Sequence, residues 1–234
     1  MKLQRLYSYV RQAIDDYHMI ESGDKIAIGI SGGKDSLALL YALAGLRKFY
    51  PIDFEIIGIT VDLGYEGFNL DPIARLCESL DVKYVIEKTQ ISEMMADGNC
   101  SLCARLRKGA LTNKILELGC NKIAYAHNLD DVVETMMMSL IYEGRFSTFW
   151  PVTKFDDNNL SVIRPLIYVP LEDVVGFKNK YELPVVENPC PYKAETSRSL
   201  ARNILKTINM NAPGAKKRML TAIQDGTIPE WMVK

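Results

Sequence analysis

No stretch of this 234-residue chain approaches the roughly 18 consecutive apolar residues that would cross a bilayer. The opening stretch, MKLQRLYSYVRQAIDDYHMI, carries charge throughout and has no uninterrupted apolar segment, so it does not read as a secretory signal. It patterns as an amphipathic helix, and the chain is expected in the cytoplasm, with no membrane partner. Net charge is nearly absent: 28 Lys and Arg oppose 29 Asp and Glu. That removes any whole-chain attraction to nucleic acid and leaves only local patches. Cysteine is scarce and odd in number, at five, which excludes a disulfide framework in a reducing compartment. Histidine is scarcer still, at two. There is no internal repeat and no low-complexity stretch. What remains is 48% hydrophobic and 24% charged, enough apolar content for a core and too much for a disordered chain.

Short apolar runs alternate with helical patterns. Lys25–Ile30, Glu55–Val61, Val82–Ile86 and Lys122–Ala126 have the length and Ile/Val content of buried strands. A fifth strand is expected over Leu160–Arg164, closed by Pro165. Helical spacing runs over Asp35–Phe49, Leu70–Leu80, Leu171–Tyr181 and Ser197–Asn209. Strands alternating with helices predict an α/β fold: a doubly wound, mainly parallel five-stranded sheet with helices on both faces. Residues 1–24 read as a helical appendage, 25–225 as one nucleotide-binding domain and 226–234 as a tail. Phe155–Asn159 reads as an exposed turn.

Ser31-Gly32-Gly33-Lys34-Asp35-Ser36 follows the first strand and opens a helix. The glycines let backbone N–H groups approach an anion, and the helix end presents more of them with the positive end of its dipole. Lys34 adds charge and the serines add donors. The spacing is neither the Walker motif nor a dinucleotide fingerprint. The pattern S-G-G-x-D-S resembles the PP-loop of ATP pyrophosphatases, which cleave ATP between the α- and β-phosphates. Ala126-His127-Asn128-Leu129-Asp130-Asp131 follows the fourth strand and opens another helix. One of the two aspartates suits the helix cap. Beside a phosphate loop, His127 is expected near the phosphates and a carboxylate of the pair on Mg²⁺. Asp62 and Leu63, at the end of the second strand, are candidates for holding ribose and adenine.

Cys100-Ser101-Leu102-Cys103 fits zinc, a redox dithiol or a pair of iron–sulfur ligands. Cys190, held between Pro189 and Pro191, is the candidate third ligand, while Cys77 and Cys120 read as apolar filler. From about Lys25 to Ile223 the chain resembles the TtcA-type tRNA 2-thiocytidine synthetases. The likeness rests on Asn99–Gly109, Ala126–Asp131, Ile163-Arg164-Pro165-Leu166, and Cys190 ahead of Thr196-Ser197-Arg198. Asn128 stands where that family has a second histidine. The resemblance implies ATP-dependent tRNA thiolation with a [4Fe–4S] cluster on Cys100, Cys103 and Cys190, and a sulfur donor such as a cysteine desulfurase or free sulfide. Lys34, Asp35, His127, Asp131 and Cys190 are then the catalytic candidates.

Two basic segments adjoin the cysteines. Arg105, Arg107, Lys108, Lys114 and Lys122 lie in one. Arg198 and Arg202, four apart like a phosphate clamp, lie in the other with Lys216, Lys217 and Arg218. Phe146, Phe149 and Trp150 fit either a core or the surface of a homodimer. Two rivals stay open: a PP-loop ligase acting on a small molecule with the cysteines on zinc, and a non-enzymatic sensor of nucleotide and cluster.

Overall fold

The computed structural model describes residues 1–95, 98–155, 160–192 and 197–226. Helices and strands run in the order α1 (Leu3–Asp16), β1 (Asp24–Gly29), α2 (Lys34–Leu46), β2 (Phe54–Asp62), α3 (Asp71–Ser79), β3 (Lys83–Lys88), α4 (Cys100–Glu117), β4 (Lys122–Ala124), α5 (Leu129–Glu143), β5 (Val152–Phe155), β6 (Leu160–Ile163), α6 (Leu171–Lys180), α7 (Ser197–Asn211) and α8 (Ala215–Asp225). One sheet has the order β3-β2-β1-β4-β6-β5, parallel except for β5 on β6.

The sheet therefore has six strands, where the apolar runs announced five. The added strand is a short edge piece after Pro151, and Lys154 and Phe155 on it are exposed. An edge strand needs no continuous apolar run, so its pattern was too weak to read. The turn expected over Phe155–Asn159 and the C-terminal tail fall largely outside the described residues. Helix α8 was not anticipated; it buries only Ala215 and Leu220 beneath a basic surface.

Alternate residues of β1 enter different cores, as the period of a strand requires. Ile26 and Ile28 face the main core, built with α1, α2, α3, α5 and α6. Ala27 faces a second core, formed with Leu111 and Ile115 of α4. The N-terminal helix is not loosely attached: Leu6, Val10, Ala13 and Ile14 are fully buried in the main core. Cys77 and Cys120 are buried one in each core, and burial pushes the Cys77 thiol up to about 11. No helix among the described residues is long and apolar enough to cross a membrane.

Strand order reverses at β1, between β2 on one side and β4 on the other. The loops leaving β1 and β4 therefore splay apart at the carboxyl edge, the crevice where open α/β sheets bind ligands. Both motifs singled out in the sequence occupy these two loops.

Candidate functional site

The phosphate loop is held by hydrogen bonds. Ser36 Oγ donates to the Gly33 carbonyl at 2.9 Å and accepts from the Ser31 N–H at 3.2 Å. The Val186 N–H donates to the Gly32 carbonyl at 3.0 Å, tying the loop to the segment that leads to Cys190. Gly32 has φ +84°, and a Cβ there would lie 2.9 Å from the Val186 carbonyl oxygen. Gly32→Ala is expected to cost about 1–3 kcal/mol of stability from backbone strain and to weaken nucleotide binding, as read by denaturant midpoint and ATP titration. Gly33 caps α2 without a side chain over the helix end. The first-turn amides are left to face an anion.

Lys34 Nζ lies 2.6 Å from Asp35 Oδ2, and Asn128 Nδ2 donates to Asp35 Oδ1 at 2.9 Å. Asn128 is buried and also caps α5: its Oδ1 accepts from the Asp131 N–H, while Asp131 Oδ2 accepts from the Asn128 N–H. One side chain thus couples the two loops across the crevice. Burial pushes the Asp131 carboxyl up; the Asn128 N–H and Arg198 oppose this, and Asp35 adds to it. The two carboxylates are therefore near enough to repel. Of the pair Asp130-Asp131, Asp130 turns away, paired with Lys216 and accepting from the Leu171 N–H at 2.7 Å.

Two cavities open beside this frame. One, of about 220 Å³, is lined by Ser31, Asp35, Ser36, Thr60 and Asn188. The other, of about 450 Å³, is lined by Cys100, Cys103, Cys190, Tyr65 and Tyr192. Arg107, Leu111, Tyr125 and His127 line both. The C-x-x-C opens α4, with Asn99 Oδ1 accepting from the Leu102 N–H at 3.0 Å. Cys100, Cys103, Arg107 and Leu111 then recur at helical spacing along one stripe. Cys190 arrives from the loop after α6, its N–H donating to Asn188 Oδ1 at 3.0 Å. Burial pushes the Cys103 thiol up, Arg107 pulls it down, and Cys190 and Cys100 push it up again. Among the described residues no three His, Cys, Asp or Glu side chains already clasp a single-ion site. The thiols ring a space instead, and a soft three-thiolate donor set around a cavity of that size fits a multi-iron group.

His127 is packed between aromatic rings, 4.6 Å from Phe149 and 5.9 Å from Tyr125. Its Nδ1 is buried with no partner among the described residues. Burial first, then Arg164 and Arg198, lower its pKa to about 4, against the pull of Asp35. The ring is neutral at pH 7. An unfolded chain takes up this proton near pH 6.5, the native ring only near pH 4. Stability is therefore whole above pH 6.5 and falls as acid is added through that window, by up to about 3 kcal/mol. Urea melts from pH 4 to 7.5 check this; His127→Gln should flatten the profile.

Other candidates lie elsewhere. Asp62 Oδ1 accepts from the Gly64 N–H at 3.0 Å, and Leu63 is buried with Ile91 and Met95; neither lines the phosphate cavity. Arg105 is exposed and off the stripe that carries Arg107 and Lys108. Arg198 and Arg202 turn to α5: Arg198 meets Asp131 at 3.4 Å, and Arg202 grips buried Glu134 at 2.8 and 3.0 Å. Lys114 pairs with Glu87 and Glu117, and Lys122 is buried on Asp24 at 2.7 Å, so these two leave the basic patch. Phe149 packs between His127 and Arg164 and lines neither of the two cavities, whereas Phe146 and Trp150 are exposed. Asn128 and Tyr65 were missed as site residues; an Asx cap pattern at Asn128 was the available signal, and nothing local marked Tyr65.

The family model of the PP-loop domain matches residues 4–208. A tRNA-cytidine(32) 2-sulfurtransferase of Geobacter sulfurreducens is 35% identical over 231 residues, covering 95% of this chain and 90% of the relative. One from Geotalea uraniireducens is 37% identical, covering 94% and 90%. The structure is similar to the U34-tRNA thiolase NcsA from Methanococcus maripaludis with its [4Fe–4S] cluster, at TM-score 0.77 and 28% identity, covering 96% of this chain and 79% of that one.

Proposed function

The chain belongs to the PP-loop domain family and is a relative of the tRNA-cytidine(32) 2-sulfurtransferases, and from that premise we propose that it is an ATP-dependent tRNA thiolase of the 2-thiocytidine type. One observation carries the reading: the phosphate cavity and the thiol cavity share a wall made of Arg107, Leu111, Tyr125 and His127. A base seated at that wall touches an activated phosphate on one side and a sulfur source on the other.

The α2 amides, Ser31, Ser36 and Lys34 hold the ATP phosphates. The base carbonyl oxygen attacks the α-phosphorus, the bond to the bridging oxygen breaks, and pyrophosphate leaves. That oxygen now carries AMP and is a good leaving group. Sulfide bonds to the same carbon and gives up its proton, and AMP departs with the oxygen. The carbonyl becomes a thiocarbonyl with no net oxidation or reduction. Asp35, with Asp131 beside it, would hold Mg²⁺ against the phosphates. Cys100, Cys103 and Cys190 would hold a [4Fe–4S] group, which would supply a soft metal centre for the incoming sulfur. Neutral His127 offers a hydrogen bond to the base or phosphate without changing charge. Tyr125, which lines both cavities, offers a face on which a base can stack.

Arg107 and Lys108 at the cavity mouth meet the RNA backbone. Arg105 extends that surface along α4, while Arg198 and Arg202, paired with Asp131 and Glu134, brace α5. Asp62 and Leu63 shape the turn after β2 that carries Tyr65 to the thiol cavity. The enzyme works in the cytoplasm, where tRNA and reduced thiols are found. It takes sulfur from free sulfide or a cysteine desulfurase, and Phe146 and Trp150 offer apolar surface to a second copy.

The test is mass spectrometry of tRNA nucleosides from a strain lacking the protein, with iron, zinc and labile sulfide measured on protein purified without oxygen. Loss of one thiolated cytidine and an iron–sulfur centre are expected. An unchanged thionucleoside profile, or zinc alone, overturns the proposal.

A further inference from the structure

Two polar atoms at the thiol cavity are buried without a hydrogen-bond partner among the described residues: His127 Nδ1 and the Tyr65 hydroxyl. His127 faces both cavities, and the base or phosphate can satisfy it. Tyr65 lines the thiol cavity alone. Its position follows from the turn after β2. The Gly64 N–H donates to Asp62 Oδ1, and Gly64 at φ +85° reverses the chain. Leu63 anchors the turn from below, buried with Ile91 and Met95 in a small cluster that packs against Cys103. The Tyr65 ring is thereby set in the same wall as Cys100, Cys103 and Cys190.

A buried hydroxyl with nothing to accept its proton costs about 1–3 kcal/mol, so native chains keep one where a ligand or a charged state completes it. The cations in this wall, Arg107 and Lys108, are donors and cannot serve. The sulfurs can. Cys103 and Cys190 line the same cavity as Tyr65. A neutral thiol is a weak acceptor. A metal-bound thiolate carries charge and accepts far more strongly.

We propose that Tyr65 is a positioning residue whose hydroxyl donates a hydrogen bond to the Cys190 sulfur when that sulfur is a metal-bound thiolate. The proposal rests on the reading that Cys100, Cys103 and Cys190 hold an iron–sulfur group. The hydrogen bond withdraws electron density from the sulfur and favours the more negative state of the centre. It also fixes the loop that carries Cys190 against the turn after β2. The reduction potential serves here as a probe of the contact, since thiolation itself needs no redox change.

Tyr65→Phe removes one oxygen and keeps the ring. Loaded without oxygen, the variant should hold the same iron and labile sulfide as the wild type, and its midpoint potential should shift to more negative values. Vibrational bands of the iron–sulfur(Cys) bonds should move in D₂O in the wild type, and part of that movement should vanish in Tyr65→Phe. Equal potentials and equal D₂O shifts in two fully loaded proteins overturn the proposal alone. Wild-type protein without iron and labile sulfide overturns the underlying reading and this proposal with it. If Tyr65→Phe does not load, the wild type decides: a D₂O shift supports the hydrogen bond, and its absence rejects it.

Discussion

Cys190→Ser should strip the protein of its iron and end thiolation, while ATP binding stays as it is. The contrast follows from where Cys190 sits. It lines the thiol cavity and not the phosphate cavity. Its N–H donates to Asn188 Oδ1, and a serine keeps that bond. Asn188 in turn lines the phosphate cavity, and Val186 holds Gly32, so the nucleotide side keeps its frame. A lost ligand should lower cluster affinity by more than the ~10–100-fold that outer-shell changes produce. Iron and labile sulfide per chain, ATP titration and thionucleoside assay together check the result. Cys120→Ala is the control: its thiol is buried in the core beneath α4, so iron should be retained while stability drops. Loss of ATP binding in Cys190→Ser, or full iron in that variant, would sink the assignment.

Lys34→Ala should produce the opposite split. Pyrophosphate release from ATP in the presence of tRNA should fall by about 10²–10³-fold, the usual cost of removing one preorganised group from a developing charge. Iron content should not change, because Lys34 lies at the start of α2, away from the thiol cavity. In the structure Lys34 rests on Asp35, which is also held by Asn128. Removing the lysine leaves Asp35 with one partner and takes positive charge from the phosphates. Lys34→Arg should rescue poorly, since a planar fork cannot replace a compact ammonium in a tight loop. Pyrophosphate release within a few-fold of the parent would show that Lys34 serves only the Asp35 ion pair. Each variant thus isolates one half of the reaction.

Local features were readable wherever a single segment carries its own physics. The glycines, lysine and serines of the phosphate loop stand together between a strand and a helix, so backbone geometry and helix polarity are enough to interpret them. The C-x-x-C is likewise local. Charge was harder. Arg198 and Arg202 have the spacing of a clamp, yet α7 packs on α5 and places Asp131 and Glu134 against them. Lys114 and Lys122 count as basic in the chain and are spent on acidic partners in the fold. A side chain's formal charge says nothing about which carboxylate the fold brings to it. The edge strand β5 and the basic helix α8 were missed because each buries too little to leave an apolar signature.

From its residues alone, this chain determined a parallel α/β sheet, an anion-binding loop after the first strand, and a set of thiols suited to a soft metal centre. Those depend on period, turn chemistry and donor type, which are properties of neighbours in sequence. Tertiary structure alone decided that Cys190 joins Cys100 and Cys103 in one cavity, that Asn128 ties Asp35 to Asp131, and that Arg107 and His127 stand between the two cavities. Such convergence is set by how helices pack across the two faces of the sheet, and no window along the chain contains it.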